Sequence, residues 1–116
     1  MNSLLKPLKI EYLAIEQTGK LDSIIEQKFA RLNNVCDYII KCQVKIANIT
    51  HNRQKQSNSL YMASISITTP EGFDIYTLRS PQNKQNDSVE KAIADVFAMI
   101  YRKLIELKLE NQFKLV

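Results

Sequence analysis

The residues of this sequence whose types and spacing could do chemistry are lysines and arginines. Lys28 and Arg31 stand three residues apart, a spacing that makes side chains neighbours on the surface of a helix. Further basic residues follow along the chain, and the candidate set is Lys28, Arg31, Lys41, Lys45, Lys91, Arg102, Lys103 and Lys108. Lysine and arginine on rigid elements are the usual contacts to phosphate, so this set is a candidate nucleic-acid-binding surface.

The distribution of charge permits this interpretation without deciding it. The chain carries 16 Lys and Arg against 12 Asp and Glu, a net charge of +4, and no acidic residue occurs between Tyr38 and Pro70. Lys41 and Lys45 lie in this stretch. The segments that hold the other six candidate residues carry charges of both signs, because they also contain Asp22, Glu26, Glu90, Asp95, Glu106 and Glu110. Taken alone, such segments are more typical of solvated helix faces than of a binding surface.

The motifs of known catalytic and metal sites are missing from the sequence. It contains no phosphate-binding glycine motif, no HExxH and no GxSxG. His51 is the only histidine and lies in a polar segment, while Cys36 and Cys42 have neither CxxC nor zinc-ligand spacing. We therefore predict that the protein is not an enzyme and that it has no metal, cofactor or small-molecule substrate. Both cysteines are predicted to be packing residues.

Apolar periodicity indicates the elements that must position the basic residues. Residues 8–13 predict a short strand, and Thr18 is a candidate N-cap for a helix with an apolar stripe from Leu21 to Leu32. Ile40, Cys42, Val44 and Ile46 alternate with polar residues, which predicts a strand with one apolar face and one wet, basic face carrying Lys41 and Lys45.

The second half of the chain predicts a hairpin and a long helix. Residues 60–78 hold two alternating segments joined by Thr69-Pro70-Glu71-Gly72, a tight-turn sequence, and both faces of this hairpin contain apolar residues. Ser88 is a candidate N-cap for a helix from about 89 to 110. Residues 50–59 and 80–87 are polar and predict loops.

The resulting order, β-α-β-β-β-α, predicts an α+β fold. We expect a two-layer sandwich in which a four-stranded mixed sheet carries both helices on one face, with the first two strands parallel. The 116 residues suffice for one domain, with a core of about residues 7–110. No signal-peptide pattern or membrane-spanning apolar run occurs, which predicts a cytoplasmic protein without a membrane partner.

Four stretches of the chain, in this order and spacing, match a known family. They are Leu8 to Thr18, Lys28-Phe29-Ala30-Arg31-Leu32, Ile65 to Gly72, and Ala92-Ile93 with Arg102 and Leu104. From Leu8 to about Glu110 the chain resembles the N-terminal domain of the ribosome hibernation promoting factors, which include ribosome-associated inhibitor A and the sigma-54 modulation proteins.

This resemblance implies a non-enzymatic function on the ribosome. Members of this family bind the small ribosomal subunit at the decoding region, where they overlap the path of mRNA and of A- and P-site tRNA. They inhibit translation in resting, stressed or stationary-phase cells. Basic residues of the two helices contact the 16S-type rRNA, which carries over here to Lys28, Arg31, Arg102 and Lys108. The chain ends where long-form members continue into a dimerisation domain, so the resemblance implies a short form that is a monomer off the ribosome.

The sequence also departs from the family pattern, which leaves two alternatives open. Non-basic residues stand where family members commonly have basic ones, at Asp22, Asn34, Met99, Glu106 and Glu110, and the loops at 50–59 and 80–87 are long. One alternative is another RNA-binding module akin to a double-stranded-RNA-binding domain, although such domains lack the first strand. The other is a protein-binding module with an exposed apolar patch around Met99, Tyr101 and Ile105.

Overall fold

A computed structural model of the protein describes residues 7–36, 39–49, 60–81 and 87–114. Its elements follow in the predicted order, and their bounds are β1 Leu8–Leu13, α1 Gly19–Val35, β2 Lys41–Asn48, β3 Tyr61–Thr68, β4 Asp74–Arg79 and α2 Val89–Lys114. The helix α2 is longer than predicted. The predicted loop at 50–59, with His51, Arg53 and Lys55, lies outside the described residues, as does Lys84 in the other loop.

The four strands form one mixed sheet in the order β1-β2-β3-β4. Strand β1 is parallel to β2, and the other two neighbouring pairs are antiparallel, as predicted. One row of partners crosses all four strands, from Leu8 to Cys42, Ile67 and Ile75. Because side chains alternate along each strand, the apolar residues in register with this row lie on the same face of the sheet.

Both helices pack on that face and share one core with it. The strands contribute Cys42, Val44, Ile46, Ala63, Ile65 and Ile67, and the helices contribute Leu21, Ile25, Phe29 and Leu32 from α1 and Ala92, Ile93, Val96, Phe97, Ile100 and Leu104 from α2. Full burial of one large apolar side chain stabilises a fold by about 1.5–3 kcal/mol, so this single cluster is the main source of stability. The predicted α+β sandwich with both helices on one face is confirmed.

The two predicted N-caps are present. The Thr18 hydroxyl accepts a hydrogen bond from the Leu21 amide at 3.1 Å, and the Ser88 hydroxyl accepts one from the Lys91 amide at 3.1 Å. Each cap satisfies an amide that has no partner within the helix, which stabilises a helix by about 1 kcal/mol. Both helices therefore begin where the sequence predicts.

The turn of the hairpin also follows the sequence, and the structure identifies its buried face. The Gly72 amide donates to the Thr69 carbonyl at 3.0 Å, and Gly72 has a φ of 95°, which favours glycine. On β4 the residues that face the core are Ile75, Thr77 and Arg79, while Tyr76 on the other face is 56% exposed. Two polar residues of β4, Thr77 and Arg79, thus point inward beside Ile75, which departs from the usual binary pattern.

The predicted apolar face of the second strand is wrong at one residue. Ile40 is 58% exposed, whereas its neighbour Ile39 is buried. The reason is that β2 begins at Lys41, so the alternation that places Cys42, Val44 and Ile46 inward does not extend back to Ile40. Cys42 packs in the core, where burial raises the pKa of its thiol to about 12, and Cys36 packs partly against the same core.

Candidate nucleic-acid interface

A buried ion pair anchors the start of α2 to the sheet. Arg79, at the end of β4, donates from Nη1 and Nη2 to the two carboxylate oxygens of Asp87 at 3.0 and 2.6 Å. Its Nε donates to Asp95 at 3.1 Å, and its Nη1 also donates to the Tyr61 carbonyl at 3.1 Å. The side chains of Arg79 and Asp87 are 3% and 0% exposed, and the hydrogen bond to Asp87 is the main cause that raises the pKa of Arg79.

This cluster, which we call the Arg79 anchor, fixes the position of the first two turns of α2 on the sheet. Asp87 directly precedes the N-cap Ser88, and Asp95 lies two turns into the helix, so one guanidinium holds both to the sheet. A buried charge is tolerated only with such partners. Arg79 therefore has a structural role and offers no charge to a ligand.

A smaller anchor holds the start of α1. The Tyr12 hydroxyl of β1 donates to Asp22 Oδ1 at 2.7 Å, and the Gln17 amide donates to Asp22 Oδ2 at 2.9 Å. These hydrogen bonds lower the pKa of the Asp22 carboxyl, while desolvation and the bond to Asp22 raise the pKa of Tyr12. Asp22, one of the departures from the family pattern, thus connects the strand to the helix.

The two helices run parallel to each other. Near their starts, Lys20 Nζ lies 4.0 Å from Glu90 Oε2, and near the end of α1, Lys108 Nζ donates to the Val35 carbonyl at 3.3 Å. Residues that are equally far from the first residues of α1 and α2 therefore lie at about the same height along the two helix axes. Lys28 and Ala98 are each the tenth residue of their helix, and Arg31 and Tyr101 are each the thirteenth.

A groove of about 650 Å³ separates the exposed sides of these helices, and we call it the helix groove. Its lining residues are Lys28, Arg31, Leu32 and Asn34 of α1 and Ala94, Phe97, Ala98, Tyr101, Arg102 and Ile105 of α2. Ala94, Ala98, Tyr101 and Ile105 are spaced four, three and four residues apart, so they form one stripe along α2. The two alanines leave the space that larger side chains would fill.

The helix groove is electropositive. Lys28, Arg31 and Arg102 line it, and none of its described lining residues is acidic. Within the described part of the chain, these three side chains have no hydrogen bond or ion pair, in contrast to Arg79. Their charges are therefore available to an anionic ligand. These are also three of the four residues to which the family resemblance assigns RNA contacts.

The other predicted basic residues lie elsewhere. Lys103 donates to the Tyr76 carbonyl on the edge strand at 3.3 Å, and Lys108 donates to the end of α1. Lys91 is exposed in the first turn of α2. Lys41 and Lys45 are exposed on the sheet face opposite the helices, where Lys45 is the register partner of Glu11. The structure thus brings together Lys28, Arg31 and Arg102 and separates them from Lys41 and Lys45.

Sequence reasoning did not assign Tyr101 and Asn34 to the charged site. One of the two alternatives places Tyr101 in an apolar patch with Met99 and Ile105, but Met99 does not line the groove. Tyr101 and Ile105 lie instead among the basic residues, and Tyr101 is 42% exposed. The spacing of Tyr101 from the two alanines was the available signal, because it places all three on one side of α2.

The described ranges contain neither a candidate metal site nor a candidate membrane span. No group of three or more histidine, cysteine or acidic residues there could hold a metal ion. None of the helices in those ranges is both long and apolar enough to cross a membrane.

Comparison with known proteins places the chain in a family. Residues 8–111 match the family model described as sigma 54 modulation protein / S30EA ribosomal protein. The chain belongs to this family. The assignment indicates a ribosome-associated protein and agrees with the resemblance found in the sequence. A comparison with curated proteins gave no match.

Two solved structures share the fold at low sequence identity. A ribosomal subunit interface protein from Coxiella burnetii is 12% identical with a TM-score of 0.65, and the match covers 88% of this chain and 97% of that one. The N-terminal domain of Thermus thermophilus Protein Y is 15% identical with a TM-score of 0.59, and the match covers 84% of this chain and 93% of that one. Both similarities support the α+β architecture.

Proposed function

We propose that the protein is a non-enzymatic translation inhibitor that binds the small ribosomal subunit at the decoding region, on the path of mRNA and of A- and P-site tRNA. The observation that carries this proposal is the helix groove, where Lys28, Arg31 and Arg102 present unpaired charge in a member of a ribosome-associated family. The proposed partner is 16S-type rRNA, the setting is the cytoplasm of resting or stressed cells, and the protein is a monomer off the ribosome.

The groove suits ribosomal RNA because its cations stand on rigid elements. Each helix is held at its start, α2 by the Arg79 anchor and α1 by the hydrogen bonds between Tyr12 and Asp22. The backbone that carries these side chains therefore loses little freedom when they contact phosphates, and such contacts provide affinity without reading sequence. A compact domain that recognises the shape of structured RNA needs no catalytic group.

The number of groove cations gives a quantitative expectation. If Lys28, Arg31 and Arg102 each neutralise one phosphate, the logarithm of the binding constant falls with the logarithm of salt concentration with a slope of about −2.1 to −2.7. Affinity should then fall roughly 20- to 40-fold between 50 and 200 mM salt. Basic residues outside the groove that also contact RNA would make the slope steeper.

The proposal is tested by co-sedimentation of the purified protein with separated small and large ribosomal subunits over this salt series. We expect saturable binding of about one protein per small subunit, weakening with salt and competed by initiator tRNA. Absence of binding to small subunits at 50 mM salt would refute the proposed function. Binding that initiator tRNA fails to displace would refute the proposed position on the subunit.

A further inference from the structure

The helix groove has features that phosphate contacts alone do not require. Leu32, Phe97 and Ile105 give it an apolar lining, and the ring of Tyr101 is exposed beside Arg102. Phosphate groups on the outside of an RNA duplex need only a basic surface. An apolar lining with an exposed aromatic ring is instead typical of sites that hold a flat, partly apolar group.

The size of the groove favours a small group over a duplex. Its volume of about 650 Å³ falls within the range of about 300–1,000 Å³ that is usual for small-molecule sites. The small side chains of Ala94 and Ala98 create the space between the helices, on the side of Arg31 and Tyr101 that is nearer the helix starts. A base that is stacked within a helix of RNA cannot enter such a space, whereas a base splayed out of a loop or bulge can.

The polar residues around the groove complement a nucleotide. Lys28, Arg31 and Arg102 can contact the phosphates on either side of an inserted base. The Asn34 side chain offers both a donor and an acceptor to a base edge, and it has no hydrogen bond to another described residue. Tyr101, at the same level as Arg31, offers a face on which a base can stack.

We propose that the helix groove binds one unstacked RNA nucleotide, whose base enters between α1 and α2 against Tyr101 while its flanking phosphates contact Lys28, Arg31 and Arg102. This proposal rests on the proposed function, because it takes ribosomal RNA as the source of the nucleotide. It assigns a specific occupant to the groove, a base splayed out of the RNA, in addition to the phosphate contacts.

The first test separates stacking from charge in the subunit co-sedimentation assay. Tyr101→Ala should weaken binding roughly 5- to 150-fold at every salt concentration, the range that base–aromatic stacking supplies, and leave the salt slope unchanged. Tyr101→Phe keeps the ring and should bind like the unmodified protein. Tyr76→Ala is the matched control, because Tyr76 is an exposed tyrosine on the opposite sheet face and should have no effect.

A second variant fills the groove without removing any group that contacts RNA. Ala98→Leu should weaken binding at an unchanged salt slope, whereas Ala30→Leu should not, because Ala30 is an exposed alanine of α1 that does not line the groove. Full binding by both Tyr101→Ala and Ala98→Leu would overturn the inserted base and leave the charge-based function standing. A protein occupant of the groove would give that same result.

A third arm makes failure of this inference distinguishable from failure of the proposed function. The unmodified protein and Tyr101→Ala are compared for binding to hexauridylate and to a 16-base-pair RNA duplex at low salt. We expect Tyr101→Ala to lose affinity for the single strand alone. Equal losses on both RNAs, or on neither, would overturn base insertion whatever the ribosome assay shows.

Discussion

The Arg79 anchor and the helix groove both contain arginine, but the arginine of the anchor is buried and paired, whereas those of the groove are exposed and unpaired within the described ranges. Arg79 is 3% exposed, and its guanidinium donates to Asp87, Asp95 and a backbone carbonyl. Arg31 and Arg102 are exposed on the helices, and neither is paired with another described residue. An arginine becomes structural when the fold brings it carboxylate partners, and it remains available for binding when the fold does not.

The two regions are also connected through α2. The anchor positions the start of α2, and the groove depends on the spacing of α2 from α1. We therefore expect changes at the anchor to act on stability, and changes in the groove to act on binding with little effect on stability.

The largest expected effect is the loss of the anchor. Arg79→Met removes the guanidinium that neutralises the buried Asp87 carboxylate, which should lower the free energy of unfolding by about 3–5 kcal/mol in urea denaturation. Arg102→Met is the matched control at an exposed arginine and should change it by less than about 0.5 kcal/mol.

The double variant Arg79→Met/Asp87→Leu sharpens the interpretation of that loss. Removing both charges also removes the buried carboxylate that has lost its neutralising guanidinium, so the double variant should be more stable than Arg79→Met alone. A double variant as unstable as the sum of the two single changes would show that the pair is not a coupled buried unit.

A smaller effect is expected from a single groove cation. Arg31→Gln should weaken binding to small subunits roughly fivefold near 100 mM salt and reduce the salt slope by about 0.7–0.9, because one phosphate contact is lost. Lys41→Gln removes one exposed charge from the opposite sheet face and should leave both quantities unchanged. An equal effect of the two variants would mean that net charge, rather than the groove, determines binding.

The smallest effect is expected at the anchor of α1. Tyr12→Phe removes the hydrogen bond to Asp22 and should lower the free energy of unfolding at pH 7 by about 1 kcal/mol or less, because the pair is only partly buried. Tyr76→Phe, at an exposed tyrosine, is the control and should leave stability at pH 7 unchanged.

The same pair predicts a pH dependence. The Asp22 pKa is lowered on folding, so its contribution is present above its ordinary pKa of 3.8 and is lost as pH falls through the folded value. The Tyr12 pKa is raised, so its contribution is present below the ordinary 10.0 and is lost as pH rises towards the folded value. The stability difference between the unmodified protein and Tyr12→Phe should therefore be widest between about pH 4 and 10. A stability difference that stays constant below pH 4 and above pH 10 would contradict a hydrogen bond between Tyr12 and Asp22.

The sequence was sufficient to predict most of the fold because its signals are local. Thr18, Ser88 and the turn from Thr69 to Gly72 specify where helices and strands begin and reverse, and alternation gives the buried face of β2. The buried face of β4 could not be predicted, since both of its faces contain apolar residues and the inward one also carries Arg79, whose burial depends on neutralisation by Asp87 and Asp95. That pairing depends on tertiary contacts, which no local pattern contains.

The candidate site was predictable in composition but not in arrangement. The spacing of Lys28 and Arg31 and the position of Arg102 were sufficient to nominate them. Lys41 and Lys45 belong to the candidate set as well, although the predicted polar face of β2 already places them opposite the helices, where the structure shows them. The inclusion of Tyr101 and Asn34 depends on the parallel packing of α1 and α2.

The most direct test of the account compares charge reversal on the two faces of the protein. Lys28→Glu/Arg31→Glu/Arg102→Glu alters the groove, and Lys41→Glu/Lys45→Glu alters the opposite sheet face. In co-sedimentation with small ribosomal subunits at 50 mM salt, the account predicts that the groove variant loses binding while the sheet variant retains it, with both folded by thermal melting. Retained binding by a folded groove variant would contradict the central claim that the helix groove contacts the RNA.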